Sequence, residues 1–226
     1  MEERKSVWDV NVFNRTTSKG KILSPDVYNF VIGLTLVWGF LVNWLIVKFV
    51  PTGFIENISP PVFLLFYFAS CMGGVYMFNK SASPLISFAG YNLVAVPFGF
   101  VVNIVVARYN SDVVLDAIRI TFIVTAIMML MGTFYPRFFQ KIYNVLTVTL
   151  TIVIIVELFD LYFLGIEHGI IDWIVVVIFC GYIGYDWGRA NNIPKTLDNA
   201  VDSAAALYMD IINLFLRLLR ILGRRK

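Results

Sequence analysis

Seven long apolar runs, separated by short polar connections, are the feature of this sequence that most constrains its fold. A helix needs about 20 apolar residues to span the hydrocarbon core of a bilayer, and each run approaches that length. With 59% hydrophobic and only 15% charged residues, the chain lies far outside the composition of soluble domains. We therefore predict an all-α membrane protein, a bundle of seven transmembrane helices near 27–49, 61–79, 84–107, 113–132, 142–164, 170–188 and 200–222.

The polar sequence is concentrated at the two ends of the chain. We expect a polar N-terminal tail over 1–25, a helical membrane domain over 26–223 and a basic C-terminal tail over 224–226. The first apolar run is too long for the core of a signal peptide, and no small-residue cleavage site follows it. The short connections carry Pro and Gly, which punctuate helices, so no separate soluble domain is expected.

Lys and Arg in the connections predict the orientation of the bundle. If the N-terminus is cytoplasmic, the inner connections are basic and two of the three outer connections are acidic or neutral, while the third holds Arg108. The three basic residues at 224–226 would then lie outside, against the rule. Either the last segment enters without fully crossing, or the N-terminal bias dominates.

Several kinds of site are disfavoured by composition. Cys71 and Cys180 lie in apolar runs without CxxC spacing, which indicates buried side chains rather than a disulfide or a redox motif. The single histidine, His168, has no Cys or His near it, so no zinc site is expected. The net charge of +3 is small and the basic residues lie towards both ends, which is typical of membrane anchoring rather than of nucleic-acid binding.

Two aspartates stand inside apolar sequence near the C-terminus. Asp186 lies near the end of the sixth run and Asp210 well inside the seventh, and ionised groups at membrane depth are costly and usually functional. The residues at 191–194 predict a turn between them, so the two helices form an antiparallel hairpin. Asp210 lies roughly 15 Å from the start of its helix, so the carboxyl groups meet only if the sixth helix continues past Gly188 or the turn dips into the bundle.

Contact between these carboxyl groups would give a gate. Burial and like charge disfavour the form in which both are ionised, so the pair would share one proton. Loss of that proton creates repulsion that separates the helices or is relieved by a hard cation such as Ca²⁺. The alternative is that Asp186 caps the sixth helix and Asp210 pairs with Arg217, two turns later on the same face. The residues alone leave both interpretations open.

Other charges in the apolar runs also have competing interpretations. Glu157 and Asp160 share one face of the fifth run, where they either line an ion path or, as we favour, reach the membrane interface. Arg217 needs an internal partner, for which Asp210, Glu157 and Asp160 are the candidates. Arg220 is close enough to the helix end to reach lipid headgroups, or it binds an acid of another helix.

Two sets of polar residues within the runs are expected to be structural. Intramembrane asparagines commonly join helices by hydrogen bonds, and opposite charges three residues apart on a helix commonly pair. We assign the first role to Asn43, Asn92, Asn103 and Asn213, and the second to Asp116 and Arg119.

The C-terminal sequence resembles a known family. The stretches YIGYDWGRANN and ALYMDIINLFLRLLRILG are similar to the signature of the Bax inhibitor-1 family, also called the transmembrane Bax inhibitor motif family. The resemblance implies a bacterial-type member, a multi-pass protein of the plasma membrane with a cytoplasmic N-terminus. It also implies seven transmembrane helices with the C-terminal helix at the centre.

The resemblance further implies a calcium-leak channel, not an enzyme. Its pH-sensing gate would be the aspartate pair that corresponds to Asp186 and Asp210, closed when the two share a proton and open when both ionise. Ca²⁺ would be transported, or transiently bound by these two carboxylates, and no resident cofactor is expected. The expected partners are the lipid bilayer, Ca²⁺ and H⁺, with Arg217 and Arg220 as supporting charges.

One expectation of the resemblance has no match in this chain. The family associates its closed state with an acid of the second helix paired to the arginine that corresponds to Arg220. The second apolar run, PPVFLLFYFASCMGGVYMFNK, contains neither Asp nor Glu. Arg220 therefore needs another partner.

Two other functions stay open. The resemblance also allows a non-conducting regulator that binds other membrane proteins, such as a membrane protease or a cell-death factor. An intramembrane aspartyl protease would use the dipeptide Tyr185–Asp186, but Asp210 lies in LYMDIIN, without the GxGD glycines of those enzymes, and no PAL sequence follows. We therefore predict a channel rather than an enzyme.

Overall fold

The computed structural model describes residues 21–159 and 169–224. Within these residues the chain forms eight α-helices and no β-strand. One of them, α2, is a five-residue helix in the connection after the first long helix, which the apolar pattern did not predict. The helices are α1 Pro25–Phe49, α2 Thr52–Glu56, α3 Pro60–Lys80, α4 Pro84–Val106, α5 Ser111–Phe134, α6 Pro136–Phe159, α7 Gly169–Asn192 and α8 Leu197–Gly223.

Proline and capping residues mark where the long helices begin. Pro25, Pro60 and Pro84 occupy the first turns of α1, α3 and α4, where the missing N–H is harmless. α6 begins at Pro136 for the same reason, several residues before the predicted start. At α8, the Thr196 hydroxyl accepts a hydrogen bond from the backbone N–H of Asn199 at 3.1 Å, which satisfies one of the free donors of the first turn.

Six helices are long and apolar enough to cross a membrane: α1, α3, α4, α5, α6 as far as Glu157, and α7. The prediction of membrane-spanning helices is thus confirmed for six of the seven predicted segments. The seventh segment is α8, which is 27 residues long but is interrupted by charged side chains between Asp198 and Arg220. α8 is therefore a different kind of helix from the other six.

α8 is buried, whereas the other long helices expose many apolar side chains. Along most of its length α8 is buried among other helices, and Leu207, Leu214 and Leu219 are each 0% exposed. The outer helices instead present large apolar side chains, such as Phe122 and Leu65, to the surroundings. An apolar exterior of this kind suits hydrocarbon rather than water, whereas the polar side chains of α8 lie in the interior.

We describe the bundle as two groups of helices, although α7 and α8, which belong to different groups, also pack extensively against each other. α4 packs against α1, α3 and α8, and these four helices form the first group. α7 packs against α5 and α6, and these three form the second group. The boundary at which α8 meets α5 and α7 is called the seam below.

Glycines allow close packing inside each group. A Cβ atom on Gly90 of α4 would lie 2.7 Å from the carbonyl oxygen of Gly74 of α3, so these backbones pack directly against each other. In the second group, a Cβ atom on Gly132 of α5 would collide with the carbonyl oxygen of Gly184 of α7. Substitution at either position would force two helices of the same group apart.

Three of the four asparagines form the predicted interhelical hydrogen bonds. Asn43 donates to the Tyr208 hydroxyl at 2.8 Å, Asn92 accepts from the Trp38 indole N–H at 2.9 Å, and Asn103 donates to the Val50 carbonyl at 2.8 Å. The prediction was wrong for Asn213, because its amide donates at 2.7 Å to the Met209 carbonyl one turn earlier in its own helix. The predicted pair of Asp116 and Arg119 is confirmed at 3.5 Å.

Candidate functional site

Asp186 of α7 and Asp210 of α8, called the aspartate pair below, lie side by side in the seam. Each residue is 8% exposed, and their carboxyl groups are in hydrogen-bonding contact. Such a contact needs one proton between the two groups, because an ionised carboxylate can only accept. One of the two conditions set by the sequence is met, since α7 continues without interruption past Gly188 to Asn192.

Tyrosines and a buried guanidinium surround the aspartate pair. Tyr143 of α6 interacts electrostatically with both carboxyl groups and with Arg189 of α7. Its ring lies 4.3 Å, centroid to centroid, from that of Tyr185. Arg189 follows Asp186 by one helical turn and is itself only 8% exposed. The aspartate pair thus lies beside the rings of Tyr143 and Tyr185 and near the guanidinium of Arg189.

Buried hydrogen bonds attach the first half of α8 to α1 and α4. The Ser87 hydroxyl of α4 donates to Asp198 at 2.8 Å. The Tyr28 hydroxyl of α1 lies 3.2 Å from the Ser203 hydroxyl and donates to the Asn199 carbonyl at 3.3 Å. Together with the bond between Asn43 and Tyr208, these contacts join α8 to the other helices of the first group.

A second cluster of charges joins the end of α8 to the end of α6 and the start of α7. Asp172, in the first turn of α7, is 1% exposed and accepts hydrogen bonds from Arg217 at 2.9 Å, Arg220 at 3.2 Å and Arg224 at 2.8 Å. Both terminal nitrogens of Arg217 also donate to the carboxylate of Glu157 in α6, one of them at 2.7 Å. These five residues are called the arginine cluster below.

The arginine cluster identifies the partners of Arg217 and Arg220, which the sequence left open. Arg217 pairs with Glu157, one of its three predicted partners, and not with Asp210. Arg220 was predicted to reach lipid headgroups or an acid of another helix, and it binds an acid of α7, although its side chain is 44% exposed. Asp160, the other predicted acid of the fifth run, lies outside the described residues.

Sequence reasoning missed Asp172, the acid that all three arginines share. An acid at the start of a helix is ordinarily explained by the helix dipole, so its position gave no reason to expect burial. The signal lay in α8, where Arg217, Arg220 and Arg224 follow one another at spacings of three and four. That spacing places three positive charges on one face of the helix, and such a face inside a bundle needs an acid opposite it.

The described residues offer no complete metal site. Among 21–159 and 169–224, no group of three or more His, Cys, Asp or Glu side chains is placed to hold a metal ion. Ca²⁺ takes about six to eight oxygen ligands, so a Ca²⁺ ion at the aspartate pair would need oxygens of water or of the backbone as well. Cys71 and Cys180 are both free, but the prediction that they are buried was wrong, because both are only partly buried. His168 lies outside the described residues.

Comparison with known proteins agrees with the C-terminal motifs. A family model described as "Inhibitor of apoptosis-promoting Bax1" matches residues 23–226. The protein LIFEGUARD 3 of Arabidopsis thaliana is 34% identical over 136 residues, which cover 54% of this chain and 51% of that protein. An uncharacterized protein of Helicobacter pylori strain J99 is 29% identical over 153 residues, 65% of each chain.

Streptococcus pyogenes has a further relative, an uncharacterized membrane protein that is 29% identical over 133 residues, 56% of this chain and 58% of that protein. This chain thus spans about half to two thirds of the length of these relatives. The family match is much longer, because it includes every described helix and both members of the aspartate pair. The chain is a multi-pass membrane protein, and it belongs to the Bax inhibitor-1 family.

Proposed function

We propose that this protein is a calcium-leak channel whose pH-sensitive gate is the aspartate pair. The observation that carries the proposal is the contact itself, in which two buried carboxyl groups from neighbouring helices meet in the seam. Burial and like charge both disfavour the doubly ionised form. In the closed protein the pair therefore holds one proton, and the channel is closed at acidic pH.

Loss of the shared proton supplies the force that opens the gate. Two unit charges about 4 Å apart repel each other by about 4 kcal/mol at an effective dielectric constant of about 20. That energy corresponds to roughly a thousandfold change in an equilibrium constant. The repulsion is relieved when α7 moves away from α8 or when a hard cation binds between the carboxylates, and both responses favour passage of Ca²⁺ at neutral pH.

The same proposal includes the topology of the chain. We assign α8 as a seventh crossing at the centre of the bundle, because it packs against α1, α4, α5 and α7 and its charged residues are largely buried or paired. The basic connections assign the N-terminus to the cytoplasm of a bacterial cell. Glu157 as a pore-lining acid stays a prediction, although its ion pair with Arg217 already balances its charge.

Purified protein in liposomes tests the proposal. We expect Ca²⁺ efflux to be faster at about pH 7.5 than at about pH 5.5, because the proposed gate opens when the pair loses its shared proton. Efflux equal to that of empty liposomes at both pH values would favour the alternative, a non-conducting regulator that binds a membrane protease or a cell-death factor. Cleavage of a model transmembrane substrate, lost in Asp186→Ala, would instead indicate an aspartyl protease.

A further inference from the structure

Polar contacts cross the seam at two different depths. The aspartate pair joins α7 to α8 in the half of the hairpin nearer its turn, and the arginine cluster joins α6 and α7 to the last turns of α8. At about 1.5 Å per residue, Asp172 and Asp186 lie about 20 Å apart along α7. The two contacts therefore act on opposite parts of the same interface.

Each group is held together independently of these two contacts. In the second group, the Trp187 indole of α7 donates to Thr133 of α5 at 2.8 Å, and the Tyr182 hydroxyl donates to Thr147 of α6 at 3.0 Å. In the first group, α1 and α4 hold the first half of α8 by the buried hydrogen bonds described above. None of these hydrogen bonds involves the aspartate pair or the arginine cluster, so a change of charge at the seam leaves them in place.

We propose that Asp172 is a positioning residue for the gate. By binding Arg217, Arg220 and Arg224 it fixes the second group to the end of α8, so that ionisation of the aspartate pair parts α7 from α8 about the arginine cluster. The inference rests on the proposed function, because it describes how that gate moves. It also provides the chain with an acid partner for Arg220 that the second apolar run lacks.

The charges of the two contacts respond differently to pH. Guanidinium groups stay charged at every pH at which proteins remain folded, so the positive part of the arginine cluster is constant. Asp172 is almost completely buried, and a buried carboxylate surrounded by guanidinium donors is costly to separate from them. At the aspartate pair two carboxyl groups face each other, so the charge of this contact changes when the shared proton is lost.

Other titratable groups also face the aspartate pair. Tyr143 of α6 and Tyr182 and Tyr185 of α7 interact electrostatically with one or both carboxyl groups. Phenols and guanidiniums do not change charge between about pH 5 and pH 8. Further along the seam, Tyr28 of α1 interacts electrostatically with Arg189 of α7 and with Asp202 of α8, which lies two turns before Asp210.

The test compares Ca²⁺ efflux from liposomes that carry the wild type, Asp172→Asn, Asp172→Glu or Asp112→Asn. In Asp172→Asn we expect efflux at acidic pH to rise at least about fivefold, the lower end of ordinary coupling between sites, with a flattened pH profile. Asp172→Glu keeps the charge and should restore the pH profile. Asp112, an exposed acid in the first turn of α5, is the matched control, and its variant should behave like the wild type.

A wild-type pH profile in folded Asp172→Asn would overturn the inference while leaving the proposed gate intact. If Asp172→Asn does not fold, Glu157→Gln should raise acidic efflux in the same direction by a smaller factor, because it weakens one of two acids in the cluster. Unchanged efflux in that variant would count against the inference equally. Failure of the wild type to conduct would refute the proposed function. The role of Asp172 would then be tested by distance measurements.

Electron paramagnetic resonance of spin-labelled protein gives that independent measurement, in a background with Cys71→Ala and Cys180→Ala. One label pair reports the cluster end of the hairpin and the other the end nearer the turn. We expect a shift from acidic to neutral pH to lengthen the second distance and to leave the first unchanged. Equal lengthening of both, or lengthening at the cluster alone, would overturn the inference. The label pairs are Trp173→Cys with Leu222→Cys, and Asn192→Cys with Ala206→Cys.

Discussion

The aspartate pair and the arginine cluster join the same two helices by opposite electrostatics. At the pair, two like charges meet, and the contact is attractive only while a proton lies between them. At the cluster, a carboxylate that is 1% exposed meets three guanidinium groups, and the contact is attractive without any proton. Two contacts on one interface thus give it one end that depends on pH and one end that does not.

Burial strengthens the electrostatic interaction at both contacts, because it lowers the screening by water. Exposed ion pairs typically contribute under about 1 kcal/mol because water screens them and both side chains lose freedom. In the seam, water competes far less for either contact. Asp210, at the middle of α8, and Arg217 and Arg220, near its end, each have a neighbour that shares or balances their charge, so the interior of the bundle accommodates them.

The largest expected effect comes from removing the central cation of the cluster. Arg217→Ala leaves Glu157 without its bidentate partner and removes one of three donors to Asp172. Breaking a buried pair by removing one member costs about 3–5 kcal/mol. We expect a stability loss in this range, measured by unfolding in detergent. A loss no greater than that of the exposed Asp112→Asn variant would show that the cluster does not hold the seam.

Abolition of the pH response is the next largest effect. In Asp210→Asn the amide donates to the Asp186 carboxylate whether the solution is acidic or neutral, so the repulsion that opens the gate cannot form. Efflux at neutral pH should fall at least about tenfold, towards the acidic level, and the profile should become flat. Liposome efflux measured over the pH range checks this expectation.

Asp112→Asn is again the control for this experiment, because it makes the same chemical change at an exposed position. Ca²⁺ efflux in this variant should depend on pH as in the wild type, so that it increases as pH rises and the shared proton is lost. An unaltered pH profile in Asp210→Asn would place the sensor elsewhere in the protein. The aspartate pair would then no longer be the pH-dependent contact between α7 and α8.

Sequence reasoning reached the fold class and one end of the seam for a physical reason. Carboxylates inside apolar sequence, as at Asp186 and Asp210, are costly enough to be conspicuous without a structure. Whether the two carboxyl groups meet was left open by the sequence, because it depended on α7 continuing past Gly188, as the structure shows that it does. The family resemblance came from the same stretches, and the match over residues 23–226 confirmed it.

The arginine cluster could be predicted from the sequence only in part. Arg217 was expected to have an internal partner, but Asp172 lies 45 residues earlier in the chain, and its sequence neighbours describe an ordinary helix start. Which acid faces which arginine depends on the rotation and height of three helices, and apolar runs that are hydrophobic on all sides do not specify either. The division into two groups was inaccessible for the same reason.

The smallest expected effect concerns a contact that lies inside one group. Tyr208→Phe removes the hydroxyl that accepts from Asn43 at 2.8 Å and bonds α8 to α1. Loss of a buried hydrogen bond of this kind costs about 1–2 kcal/mol, so the variant should unfold at slightly lower temperature. The ratio of Ca²⁺ efflux at neutral and acidic pH should nevertheless stay at the wild-type value, because α1 and α8 move together. A changed ratio would mean that α8 also moves against α1 during gating, and that the seam is not the boundary along which the bundle opens.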